Sequence, residues 1–127
     1  MIHIRKLMGV SLAALLLTAC AASKPQVRSI ALPAEARATL PELCGNIHAV
    51  ACQPENATVA REDMMTVVLT KIREQKPELK ALMDGIVSVP AADRREVFKR
   101  SVSDALGTEW TCPDFDRLWD SQPVSCP

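Results

Sequence analysis

The chain has 127 residues, with fifteen Lys and Arg against fifteen Asp and Glu, and so no net charge. That balance offers no basic excess of the kind that binds a nucleic-acid backbone. With two Phe, two Trp and no Tyr, the chain also lacks the several ring faces that a sugar platform or an aromatic cation cage requires.

At the start, Arg5 and Lys6 form a short positive stretch, Leu7–Leu17 is an apolar run, and small residues follow. This is the layout of a secretory signal, which is set aside in fold reasoning. The apolar run as far as Ala22 falls short of the about 20 residues that a spanning helix needs. Leu17-Thr18-Ala19-Cys20 reads apolar, small, small, Cys, and resembles the bacterial lipobox. The resemblance implies that residues 1–19 are removed, that the Cys20 thiol receives a diacylglyceryl group, and that the new amine is acylated, with palmitate or a similar chain. The chains then hold the protein in a lipid bilayer, since two or more anchor stably where one holds only marginally. Ordinary signal cleavage at Ala19-Cys20-Ala21 is the alternative and would leave a free thiol. Ala21, not Asp, follows the cysteine. By analogy with lipoprotein sorting in diderm bacteria, this implies an outer-membrane protein whose domain faces the periplasm. Cysteine parity agrees: without Cys20, four remain (Cys44, Cys52, Cys112 and Cys126), an even set suited to a disulfide framework in an exported chain.

Residues 20–32 read as a lipidated cysteine and a tether without hydrophobic period; extended from Ala21, it would reach about 40 Å at roughly 3.3 Å per residue. Residues 33–127 form the domain. Pro33 and Pro41 each suit the first turn of a short helix, and Leu40, Leu43 and Ile47 give one apolar edge that Gly45-Asn46 threatens to break. Cys52–Asn56 reads as a loop, with Asn56 or Thr58 as the N-cap of the next helix. That helix is expected over Val59–Glu74, with Met64, Met65, Val67, Val68, Leu69 and Ile72 on a broad apolar face; its β-branched residues make a strand the alternative, and length favours the helix. Pro77 disfavours helical geometry at Lys76 and ends it. From Pro77, Leu79, Leu82, Met83, Ile86 and Val87 recur at i, i+3, i+4, i+7 and i+8, an amphipathic stripe. Pro90 opens another helix, capped by Ser88 or Val89, in which Phe98, Val102, Ala105 and Leu106 repeat the stripe; Gly107 is its natural stop. A turn at Trp110–Pro113 leads to one or two helical turns from Asp114 to Asp120 that bury Phe115, Leu118 and Trp119, and then to a short tail closed by Cys126.

Four cysteines allow three pairings. Local pairing (Cys44–Cys52 with Cys112–Cys126) demands a chain reversal, because a continuous helix would hold Cys44 and Cys52 about 12 Å apart, beyond the roughly 7 Å that a bridge tolerates. The other two pairings staple the N-terminal part of the domain to the C-terminal part, closing longer loops with a slightly larger entropic stabilisation. The Cys-x-x-Cys of a redox-active pair is absent, so the cysteines read as structural.

His48 is the sole histidine after the signal segment, and there is no Gly-x-Ser-x-Gly elbow, so neither a serine triad nor a zinc site with several His or Cys is supplied. Asp114, Asp116 and Asp120 are carboxylates around a short helix, but their spacing is not that of an EF-hand, and a helix N-terminus accounts for two of them. Arg94, Arg95, Lys99 and Arg100 form one basic cluster diluted by Asp93, Glu96 and Asp104. Arg94 stands apart, four residues before Phe98 on the apolar side, where it would snorkel or meet an acidic partner.

The expectation is an all-α domain, a small bundle of four to five short helices stapled by two disulfides, with no catalytic set, cofactor or metal. Its architecture is similar to that of secretion pilotins, which are small helical lipoproteins with a disulfide. That similarity implies a binding or assembly module for another envelope protein. A partner would dock on a helical groove formed by Leu79, Leu82, Met83, Ile86 and Arg94. The alternative is a structural envelope lipoprotein with no discrete ligand.

Overall fold

Prolines set most of the starts. Pro41, Pro54 and Pro77 occupy early positions of the 3₁₀ turns Leu40–Glu42, Pro54–Asn56 and Pro77–Leu79, and Pro113 is the first residue of a helix. A fixed φ and a missing N–H cost nothing there, where the first amides have no helical partner. The structure is a computed structural model that describes residues 28–127, so the signal segment, Cys20, Ala21 and the first part of the expected tether lie outside it. After a single helical turn (Ala36–Thr39), five longer α-helices follow: α1 Leu43–Ala51, α2 Arg61–Gln75, α3 Lys80–Val87, α4 Arg94–Leu106 and α5 Pro113–Trp119. Among the described residues there is no strand. The domain is an all-α bundle stapled by two disulfides. No described helix is long and apolar enough to cross a membrane.

The apolar periods point where the sequence reading placed them. Leu40, Leu43, Ile47, Val68, Ile72, Leu79, Leu82, Phe98, Val102 and Phe115 are all fully buried. Helix α2 packs against α1, α3 and α5, and α3 packs in turn on α4. Gly45-Asn46 does not break α1. Gly107 closes α4 in the left-handed region (φ 74°), its N–H reaching the carbonyls of Ser103 and Asp104, which a residue with a Cβ would adopt only at a cost.

All four aromatic side chains of the chain meet in one cluster. The Phe98 and Phe115 rings stack at 4.7 Å, Trp110 stands edge-on to Phe115 at 5.3 Å, and Trp119 lies 5.5 Å from Phe115. Phe115 is the hub, so the seven-residue α5 is held to α4 by rings that bring more buried area than aliphatic side chains would.

Two local expectations are corrected. Helix α2 starts at Arg61, not Val59, and neither Asn56 nor Thr58 caps it: Ala60 holds the cap position without a side-chain bond. Asn56 is buried and donates to the Val50 carbonyl at 2.8 Å, so it satisfies the end of α1 instead, while Glu62 and Asp63 complement the α2 dipole. Ser88 and Val89 belong to the end of α3, not the start of α4, whose cap is Asp93. Of the three pairings left open, the structure has Cys44–Cys112 with Cys52–Cys126. The continuity of α1 leaves no reversal between Cys44 and Cys52, which excludes the local pairs.

The end of the expected tether is also held. Ile30 and Leu32 pack against the core, the Ser29 hydroxyl donates to Asp104, and the Ile30 amide donates to the buried Ser101 hydroxyl at 2.8 Å. The Ser101 hydroxyl in turn donates to the Val97 carbonyl at 2.6 Å. Ile30 lies directly on Gly85 of α3: a Cβ there would meet Ile30 Cδ1 at 3.0 Å. Alanine normally gains about 1 kcal/mol over glycine inside a helix. In the wild-type background we expect Gly85→Ala to gain little or to destabilise, and in an Ile30→Ala background to stabilise by about 1 kcal/mol. Urea denaturation of the four variants checks this; additive effects would mean that Ile30 does not rest on α3.

Candidate functional site

The stripe expected to meet a partner is turned inward. Leu79 and Leu82 are fully buried, and Met83 and Ile86 keep only 6% and 5% of their surface, because α3 is covered by Ile30 on one side and by α2 and α4 on others. These residues are core, and the groove reading is corrected to their edges. Arg94 is used locally: its Nε donates to the Val89 carbonyl at 2.8 Å and its Nη2 to the Val87 carbonyl at 3.1 Å. It therefore satisfies the last carbonyls of α3, a basic cap that also suits the helix dipole.

What this packing leaves open is a shallow groove between α2 and α3, of about 250 Å³, floored by Leu69 and the exposed edges of Met83 and Ile86. Val87 stands at its edge, 66% exposed, the one large apolar side chain that the described residues leave exposed. At the other edge Arg73 Nε donates to Asp84 Oδ1 at 2.7 Å. That hydrogen bond and the charge of Arg73 hold the Asp84 carboxyl below its ordinary range. An apolar floor with one protruding methyl pair and a flanking ion pair is suited to an amphipathic segment, whose apolar side chains displace weakly held water.

The basic cluster of α4 meets the carboxylates of α5. Arg95 donates to Asp116 at 2.9 Å and to Asp120 at 3.1 Å, and Lys99 reaches Asp116 at 3.2 Å. Asp114 receives His48 Nδ1 at 2.8 Å and Arg117 at 3.0 Å. The three carboxylates considered for calcium are thus each answered by a basic side chain. A larger cleft of about 500 Å³ runs beside α4, but Arg95, Glu96, Lys99, Arg100 and Asp104 line it with mixed charge, which selects no ligand class.

One pattern escaped the sequence reading. Cys44, His48 and Cys52 are spaced i, i+4, i+8 on α1 and its end, so they share one face. Their contacts are, in order, Cys112, Asp114 and Cys126. The four-residue spacing was the available signal. Its partners were not legible, because nothing local links α1 to residues more than sixty positions on. No protein-family model, curated protein or solved structure matches the chain.

Burial alone would push the Asp116 carboxyl up; the hydrogen bonds from Arg95 and Lys99 outweigh it, and the group sits below its ordinary range. A carboxyl lowered in the folded state stabilises above its unfolded pKa of about 3.9 and loses that contribution as pH falls through the folded value. Asp116→Asn is therefore expected to cost about 1 kcal/mol at pH 7, a figure kept small because the side chain is one-third exposed. The gap to wild type should close below about pH 4. Thermal melts at pH 7 and pH 3 test it; an equal gap at both would remove the ion-pair explanation.

Proposed function

We propose that the protein is a lipid-anchored lipoprotein of the cell envelope, on the outer membrane and facing the periplasm, that docks an amphipathic segment of another envelope protein in the α2–α3 groove. The observation that carries this reading is Val87, a large apolar residue left in solvent beside an apolar floor. Burying such a side chain in a partner stabilises the complex by about 1.5–3 kcal/mol. The anchor is supported by Leu17-Thr18-Ala19-Cys20 and by the bridges: they account for four of the five cysteines, and Cys20 is the one left over. The pinned segment 29–32 supports a fixed exit of the tether from the domain. The second reading, a structural envelope lipoprotein with no discrete ligand, is favoured by the rest of the described surface, on which no other large apolar side chain is exposed.

Crosslinking in intact cells, followed by mass spectrometry of the outer-membrane fraction, separates the two. A single stoichiometric partner, lost in Val87→Asp, is expected. That variant should melt close to wild type, since surface substitutions shift stability by only about 0.5 kcal/mol. Recovery in the fraction with no reproducible partner would leave the structural reading, and absence from the fraction would overturn the anchor.

A further inference from the structure

The two bridges differ in setting. In Cys44–Cys112, Cys112 is 1% exposed and Cys44 packs against the core. In Cys52–Cys126, Cys126 is exposed and sits on the non-helical tail after Asp120, while Cys52 is half-buried at the end of α1. Only the second has a base beside it. His48 lies one turn before Cys52 on the same face, with Nε2 3.7 Å from Cys52 Sγ and Nδ1 2.8 Å from Asp114 Oδ2. Asp114 keeps 17% of its side-chain surface and is shared with Arg117 Nη1 at 3.0 Å.

We propose that Cys52–Cys126 is a thiol–disulfide exchange site, in which His48 stabilises the departing Cys52 sulfur and an external dithiol is the co-reactant. The steps balance. A thiolate of the dithiol attacks Cys126 Sγ, the exposed member; a new S–S bond forms there, the Cys52–Cys126 bond breaks, and its electron pair leaves on Cys52 Sγ. That sulfur is met by the Nε2–H of His48. Asp114 fixes the orientation of the ring through its contact with Nδ1. The second thiolate of the dithiol then attacks its own partner sulfur, leaves as a disulfide, and returns Cys126 as a thiolate that takes a proton from water. Two electrons pass from the dithiol to the bridge. A leaving sulfur whose thiolate is stabilised leaves faster, and a histidine beside the sulfur supplies that stabilisation. With Cys44–Cys112 intact, opening the second bridge releases a ring of only roughly 20 residues.

The test uses the full oxidised chain treated with dithiothreitol or reduced glutathione, quenched by alkylation and read by peptide mass spectrometry. Cys52 and Cys126 should be alkylated first, at least roughly tenfold faster than Cys44 and Cys112. His48→Ala should slow that first phase roughly tenfold and leave the second unchanged. Asp114→Asn should slow it too, with Asp114→Glu restoring part of the rate. If His48→Ala disturbs the circular dichroism spectrum, His48→Gln replaces it. A separate readout is Cys126→Ser, where the freed Cys52 thiol should titrate below the ordinary value of about 8.5 and return to it when His48 is also removed. Reduction by dithiothreitol alone marks paired protein cysteines as the co-reactant; reduction by both reagents marks free thiols. Simultaneous opening of both bridges, a first phase indifferent to His48, or an unshifted Cys52 thiol would each overturn the proposal.

Discussion

The fold depends on where Phe115 is held. Helix α5 has seven residues, too few to persist alone, because a short helix does not repay its nucleation. Its position is set by contacts beyond itself: the stack of Phe115 on Phe98, the edge of Trp110, and the Cys112–Cys44 bond one residue before the helix begins. Once placed, α5 offers Asp114 to α1 and Asp116 to α4. A chain with four aromatic residues has used all of them at this one junction. Most of the remaining core is aliphatic and is spread over the other four helices. Loosening the cluster would therefore release α5 and, with it, both electrostatic ties.

The bridges reinforce that junction in a definite order. Each alone spans about seventy residues and, on the chain-entropy model, removes about 4 kcal/mol of denatured-state freedom. They cross, however, so the second acts on a chain already shortened by the first, and the two contributions do not add. The inner bond, set against the aromatic cluster, carries the larger structural share; the outer bond mainly fixes the tail, whose Val124 packs against the core.

Helix positions were legible because their signals are local: prolines at the starts, a 3.6-residue apolar period, and Gly107 at the end of α4. The fate of the α3 stripe was not. Apolar periodicity says that Leu79, Leu82, Met83 and Ile86 share a face; it does not say whether this chain or another covers that face. The cover came from α2 and α4 of the same chain, with Ile30 closing the side at Gly85 from a stretch with no period of its own. The cap of α2 failed for a related reason. Asn56 is a good cap by type, but its buried side-chain amide donates to the Val50 carbonyl at the end of α1, where an unpaired donor would be costly.

The face of α1 that carries Cys44, His48 and Cys52 ties these observations together. Three residues at four-residue spacing make three successive contacts with the C-terminal part of the chain, and their surroundings change from dry to wet along the helix. At Cys44 the partner is Cys112, buried in the core, where an attacking thiolate has little access. At His48 the partner is a carboxylate with limited exposure, which holds the ring in place. At Cys52 the partner is exposed on a free-running tail. A purely structural staple would gain nothing from an imidazole beside the outer sulfur, because a bond meant to persist needs no stabilised leaving thiolate. The gradient along one helix face is what separates a bond that holds the fold from one placed to be opened.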